Sequence, residues 1–341
     1  MRLNKFINPE SIIHSIKTAI ACEIGFLITK LLNFPSDLWV LVTIIAVMCA
    51  QLSVGSVIQK GYLRFVSTTL GCLIAVFVIQ FVGISTLSLT ITIACIGLLF
   101  GYIATRQESA AYTFQGALSA VIILLNDQPT LWLASQRFIE ITLGIIIATF
   151  VSQFILPIHA RTHLRRAQAN TLSTLQTYYR IGMMEEKEPD QSHYDEMDES
   201  IVKSLTKQRS LAQDSTREKL GLSFDLTQFV QCLYAEKAIL RATTFMRTAL
   251  HTAHADDIHT LQTMPSFITF NKAILETFDP LIQTMKANDS PLTKADGALP
   301  DLQILQQDLN TISFHTVDIE GLLFSASILL KNLQVLRRMY L

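Results

Sequence analysis

The chain has 341 residues, of which 50% are hydrophobic and only 16% charged, with a formal net charge of −1. Its mean hydropathy is +0.37, and a soluble protein of ordinary composition carries about 25% charged residues. The deficit has a location: residues 1–160 hold 8 Lys/Arg and 6 Asp/Glu, and residues 161–341 hold 19 and 22. The near-neutral balance excludes the basic excess of a nucleic-acid binder. The five cysteines (Cys22, Cys49, Cys72, Cys95, Cys232) form no Cys-x-x-Cys, so neither a disulfide framework nor a zinc site is expected. Lys17 and Glu23 interrupt the apolar run that a cleavable signal would need.

In chain order, the first half reads as membrane-spanning. Leu38–Gln59 carries no charge over 22 residues and Phe65–Thr105 none over 41. A span needs about 20 apolar helical residues, so the longer window fits two spans around a tight turn near Gly83–Thr86. Six spans are expected, at about 14–32, 38–54, 64–82, 86–104, 110–126 and 138–156, with Pro35, Gly83, Asn126–Pro129 and Pro157 between them. Arg2, Lys5, Lys60, Arg64, Arg106, Arg161, Arg165 and Arg166 fall on one side, so both termini are expected in the cytoplasm. Lys30 and Arg137 lie near span ends on the other side.

An internal repeat is the most informative feature. Arg64–Val82 aligns without gaps to Arg137–Ile155 at an offset of 73, with 11 of 19 positions identical. Ile20-Ala21-Cys22 matches Ile93-Ala94-Cys95 at the same offset. Units of three spans must enter the membrane in opposite directions, the inverted-repeat design of many secondary transporters. Small residues at four-residue spacing support close helix packing: Ser67/Gly71/Ala75, Gly97/Gly101, Gly116/Ala120 and Gly144/Ala148/Ser152.

Ionisable residues within spans are costly and usually face a cavity or a partner. Glu23, near the middle of the first span between Lys17 and Lys30, is the candidate proton-coupled carboxylate. Arg64 and Arg137, equivalent in the repeat, are candidates for the two mouths of a path, or else basic side chains snorkelling at helix ends. Arg106 and Glu108 share a cytoplasmic turn where mutual pairing is expected.

The second half, 161–341, reads as a cytoplasmic helical bundle. Helical patterning covers about 162–184, 200–220, 224–255, 266–288 and 301–340, the last broken near Thr316. Glu185–Ser200 and Ala287–Pro300 read as loops. His251, His254 and His259 with Asp256 and Asp257 could hold a metal, but the spacing fits no strict zinc pattern. There is no phosphate-binding glycine loop or hydrolase motif, so an enzyme is not expected. The fold class is all-α: a six-helix transmembrane bundle at 1–160, built as an inverted repeat, then a helical domain.

Several short stretches carry a resemblance: Trp39-Val-Leu-Val-Thr43, Gly61-Tyr-Leu-Arg64 followed by Thr68-Thr-Leu-Gly71, Arg137 with Gly144, Leu156-Pro157, and Tyr234-Ala-Glu236-Lys-Ala-Ile-Leu240. Together they resemble the fusaric acid resistance, or aromatic acid exporter-like, family. Where that family usually has Gly-Thr after the arginine, this chain has Ser67-Thr68. The resemblance implies a bacterial inner-membrane exporter of aromatic or other organic acids, proton-driven, with a periplasmic adaptor protein as a partner in some relatives. Relatives with two membrane and two soluble units in one chain imply a homodimer here. No cofactor is implied. A passive organic-anion channel and a membrane scaffold recruiting a partner through its soluble helices are the alternatives.

Overall fold

The structure is a computed structural model, and it describes residues 9–34, 38–49, 53–106, 114–184, 191–218, 224–286, 299–312 and 317–340. All secondary structure among the described residues is helical. The chain divides into two compact units: residues 1–160 with 217–219, and residues 161–216 with 220–341.

The first unit begins with α1 (Pro9–Leu31), opened by a proline, whose missing N–H costs nothing in a first turn. Next comes α2 (Leu38–Met48), apolar along its whole length. The third helix, α3 (Val54–Phe77), starts where the Ser53 hydroxyl accepts from the Ser56 N–H, capping one free donor. It runs on as a π-helical turn, Val78–Val82, that ends at Gly83. Gly83 has φ 78°, a left-handed conformation in open space, so here glycine serves the turn rather than packing. The unit is completed by α4 (Thr86–Arg106), α5 (Phe114–Leu124) and α6 (Leu131–Phe154), the last capped by the Thr130 hydroxyl.

Among the described residues the expected spans 38–54 and 110–126 hold α2 and α5, of 11 residues each, and residues 35–37, 50–52 and 107–113 beside them lie outside the described residues. One expected boundary comes out differently: α3 starts ten residues before the expected 64, so Lys60 and Arg64 lie inside a helix rather than in a loop. Among the described residues, four helices of this unit (α1, α3 with its π-turn, α4 and α6) are long and apolar enough to cross a bilayer. Large apolar side chains such as Leu73, Phe77, Leu87, Leu98 and Phe150 stand on their outer faces, as lipid contact requires.

Packing within the unit is reciprocal. Helix α3 packs on α5, α6 packs on α2, and α3 and α6 pack on each other. Glycines make the close approaches. A Cβ on Gly71 would meet the Gly116 carbonyl oxygen at 2.2 Å, and one on Gly144 would meet Thr43 Cβ at 2.7 Å. The offset of 73 that carries 71 to 144 also carries 43 to 116.

The second unit holds most of α7 (Ala160–Met184), then α8 (Gln191–Arg217), α9 (Leu226–His251), α10 (Ala255–Thr263), α11 (Pro265–Lys286), α12 (Leu302–Thr311) and α13 (Ile319–Tyr340). The acidic stretch expected as a loop is helical from 191 onward, because Tyr194 and Ile201 are buried; residues 185–190 lie outside the described residues. Asp225 and Asp301 cap α9 and α12 through their carboxylates. Helix α13 is also long and apolar enough to span a membrane. Its apolar stripe, however, is spent on the core of this unit: Leu322, Ala326, Leu329, Leu333 and Leu336 are buried there, and α13 packs on α9.

Candidate functional site

The first unit gathers its interior charge around α2. Trp39 and Thr43 stand four residues apart, on one face of that helix. From α3, the Arg64 guanidinium donates from Nη2 to Thr43 Oγ1 at 3.1 Å. Arg64 is only 6% exposed, and its Nε has no hydrogen-bond acceptor. Among the described residues no carboxylate lies within ion-pair distance of it. One turn further along α3, the buried Thr68 hydroxyl also lacks a partner.

From α6, Arg137 lies over the Trp39 ring at 4.7 Å and donates from Nη1 to Glu140 Oε2 at 2.8 Å. Its Nε is buried without an acceptor. Glu140 is 1% exposed. Gly144, one turn on, lets α6 approach α2 closely enough for these contacts.

The two repeat-related arginines are thus brought to one face of α2. One is ion-paired and the other is not. Arg64, Arg137 and Glu140 sum to a single positive charge in a buried place. Leaving a guanidinium there without a counter-charge costs several kcal/mol. Three buried donors, Arg64 Nε, Arg137 Nε and Thr68 Oγ1, lack acceptors. Such an arrangement can take an anion carrying oxygen acceptors.

The other expected residues stand elsewhere. Lys17 is fully buried, and its Nζ donates to the Ser152 carbonyl at 3.1 Å, near the C-terminus of α6. His14 Nε2 meets the Met48 carbonyl at 2.9 Å, and Lys60 Nζ the Cys49 carbonyl at 2.6 Å. These basic groups answer the orphan carbonyls where α2 and α6 end, a use that favours cations at helix C-termini. Glu23 is exposed on α1 rather than packed toward α2 or α6, so its depth in the sequence misplaced it. Arg106 is exposed at the end of α4, hydrogen-bonded to the Tyr102 hydroxyl and 4.8 Å from that ring. Its expected partner Glu108 lies outside the described residues. Sequence reasoning missed Glu140, although one sign was visible: it replaces Ser67 in the repeat, three residues after its arginine.

Outside this constellation, Glu218 Oε1 accepts from the first-turn amides of two helices, Gly55 N at 3.1 Å and Ala160 N at 2.9 Å. Its Oε2 pairs with His159 at 3.3 Å. In the second unit Glu236 is fully buried on α9, and burial pushes its carboxyl up to about 8. The same desolvation raises the neighbouring Cys232 thiol. His251 ends α9 and His254 precedes α10, which carries His259; no group of three metal-ligating side chains forms among the described residues.

The fusaric acid resistance protein family matches residues 11–334, nearly the whole chain. The chain belongs to that family. It is 26% identical over 190 residues to the inner membrane protein YeeA of Escherichia coli (strain K12). That match covers 52% of this chain and 53% of YeeA, so the chain spans about half the length of the curated relative it matches. Family membership agrees with the apolar helices, which among the described residues include several long enough to cross a membrane.

Proposed function

We propose that the protein exports small organic anions, aromatic carboxylates above all, across the bacterial inner membrane, with Arg64 as the anion-binding group. The observation that carries this reading is the buried Arg64 guanidinium, held by a neutral hydroxyl and facing no carboxylate among the described residues. A carboxylate ligand would supply the missing charge and the missing acceptors. The aromatic face of Trp39 beside Arg137 suits a flat substrate.

The path runs through an inverted repeat of α1–α3 and α4–α6. The reciprocal packing of α3 on α5 and α6 on α2, with glycine contacts related by the offset of 73, supports that arrangement. Both termini and the second unit lie in the cytoplasm on this reading. Transport is driven by the proton gradient, two copies form the working unit, and a periplasmic adaptor protein is the partner on the outer side.

Proteoliposomes with pH gradient and voltage set independently test this. Saturable benzoate flux that follows the pH gradient supports a proton-driven carrier. Flux that follows voltage alone makes the protein a channel. Absence of flux for every carboxylate removes the reading.

A further inference from the structure

Resting on that reading of Arg64, we propose that Glu140 sets the charge of the site to one and so selects singly charged organic anions over doubly charged ones. Arg64 and Arg137 occupy equivalent positions, and the residue three places on is Ser67 in one unit and Glu140 in the other. Ser67 turns its hydroxyl onto the Arg64 carbonyl at 3.1 Å and leaves the guanidinium un-neutralised. Glu140 instead neutralises Arg137 at 2.8 Å, while Trp39 covers the guanidinium face.

Among the described residues no other charge near the constellation changes the sum. Helix α6 packs against α1, α2, α3 and α5. Helices α2 and α5 carry no ionisable side chain. Lys17 on α1 is bound at Ser152, twelve residues or about 18 Å along α6 from Glu140. His14 on α1 and Lys60 on α3 are held at the opposite end of α2 from Trp39, on the Met48 and Cys49 carbonyls. Glu10, Cys22, Glu23 and Lys30 on α1, and Tyr62 and Cys72 on α3, make no contact with Glu140.

A monocarboxylate brings the constellation to zero. A dicarboxylate leaves one negative charge uncompensated in a dehydrated place, a cost that rejects it. Glu140 therefore acts through Arg137 as a specificity-determining residue. Were it a serine like its counterpart, the site would carry two positive charges and suit a dianion.

The test uses the full-length protein in proteoliposomes, with benzoate and fully ionised phthalate as probes. Wild type is expected to move benzoate well ahead of phthalate. Glu140→Gln should raise the phthalate-to-benzoate flux ratio by about tenfold or more, equivalent to about 1.4 kcal/mol. Glu140→Asp, which keeps the charge, should keep the wild-type ratio. The double variant Arg137→Gln/Glu140→Gln removes both charges of the pair, leaves the sum at one, and should also keep it. Should Glu140→Gln not fold, wild-type preference in the double variant together with its loss in Glu140→Ala supports the same conclusion. An unchanged ratio in a monodisperse Glu140→Gln protein that still moves benzoate overturns the charge filter and leaves the export reading standing. Wild type moving phthalate as fast as benzoate overturns it too. Wild type moving neither brings down both.

Discussion

The glycine contacts of the first unit give a prediction whose size follows from geometry. Replacing Gly71 by alanine sets a methyl 2.2 Å from the Gly116 carbonyl oxygen, a backbone atom that cannot swing aside. Gly144→Ala sets one 2.7 Å from Thr43 Cβ and 2.8 Å from the Val40 carbonyl oxygen. Overpacking of this kind costs about 1–3 kcal/mol, because whole helices must separate to relieve it. Gly97 and Gly101 on α4 have nothing within 4 Å, so Gly97→Ala and Gly101→Ala serve as internal controls. In a domain of this size each kcal/mol moves a melting temperature by about 2–4 °C. Fluorescence-detected size exclusion of heated, detergent-solubilised protein reads the difference directly. Gly71→Ala and Gly144→Ala should melt several degrees below wild type, with the α4 variants close to it. Equal stability across all four variants would refute the reciprocal packing of α3 on α5 and α6 on α2.

Other predictions concern charge. Glu218→Gln weakens an acceptor shared by the first-turn amides of α3 and α7 and removes the negative charge beside them, so thermal stability should fall by about 1 kcal/mol. Replacing it by Asp, which is too short to reach both amides, should not restore the loss. For Glu236 the folded carboxyl titrates near 8 against an ordinary 4.5, so between those values the folded chain holds a proton that the unfolded chain has lost. Stability therefore falls as pH rises through that window and levels off above it. Glu236→Gln should flatten this dependence in a melting-temperature series, and an unaltered slope would contradict a buried neutral carboxyl.

The sequence carried much of this, and the misses have physical causes. The longer charge-free window holds the second half of α3 and α4 up to Thr105, because a spanning helix has to satisfy its backbone internally and presents apolar side chains to lipid. The end of α2 at Met48 was invisible in a continuous apolar run, because it involves His14 and Lys60, distant in sequence, meeting the Met48 and Cys49 carbonyls. Hydropathy gives depth along a helix but not the face, which is why Glu23 read as interior and is exposed. Glu140 was legible as a carboxylate three residues from an arginine, but its burial against α2 and its pairing with Arg137 depend on tertiary packing that spacing alone does not give. The start of α8 was hidden by its acidic composition, although Tyr194, Ile201 and Leu205 already marked a buried stripe.

The most direct measurement of the central claim is radiolabelled benzoate counterflow in proteoliposomes carrying wild type, Arg64→Gln or Arg64→Lys. The charge at this position is what the anion answers. Glutamine should therefore lower counterflow by about tenfold or more at equal folded protein, while lysine retains part of it. Counterflow as fast in Arg64→Gln as in wild type would contradict the account and remove Arg64 from the site.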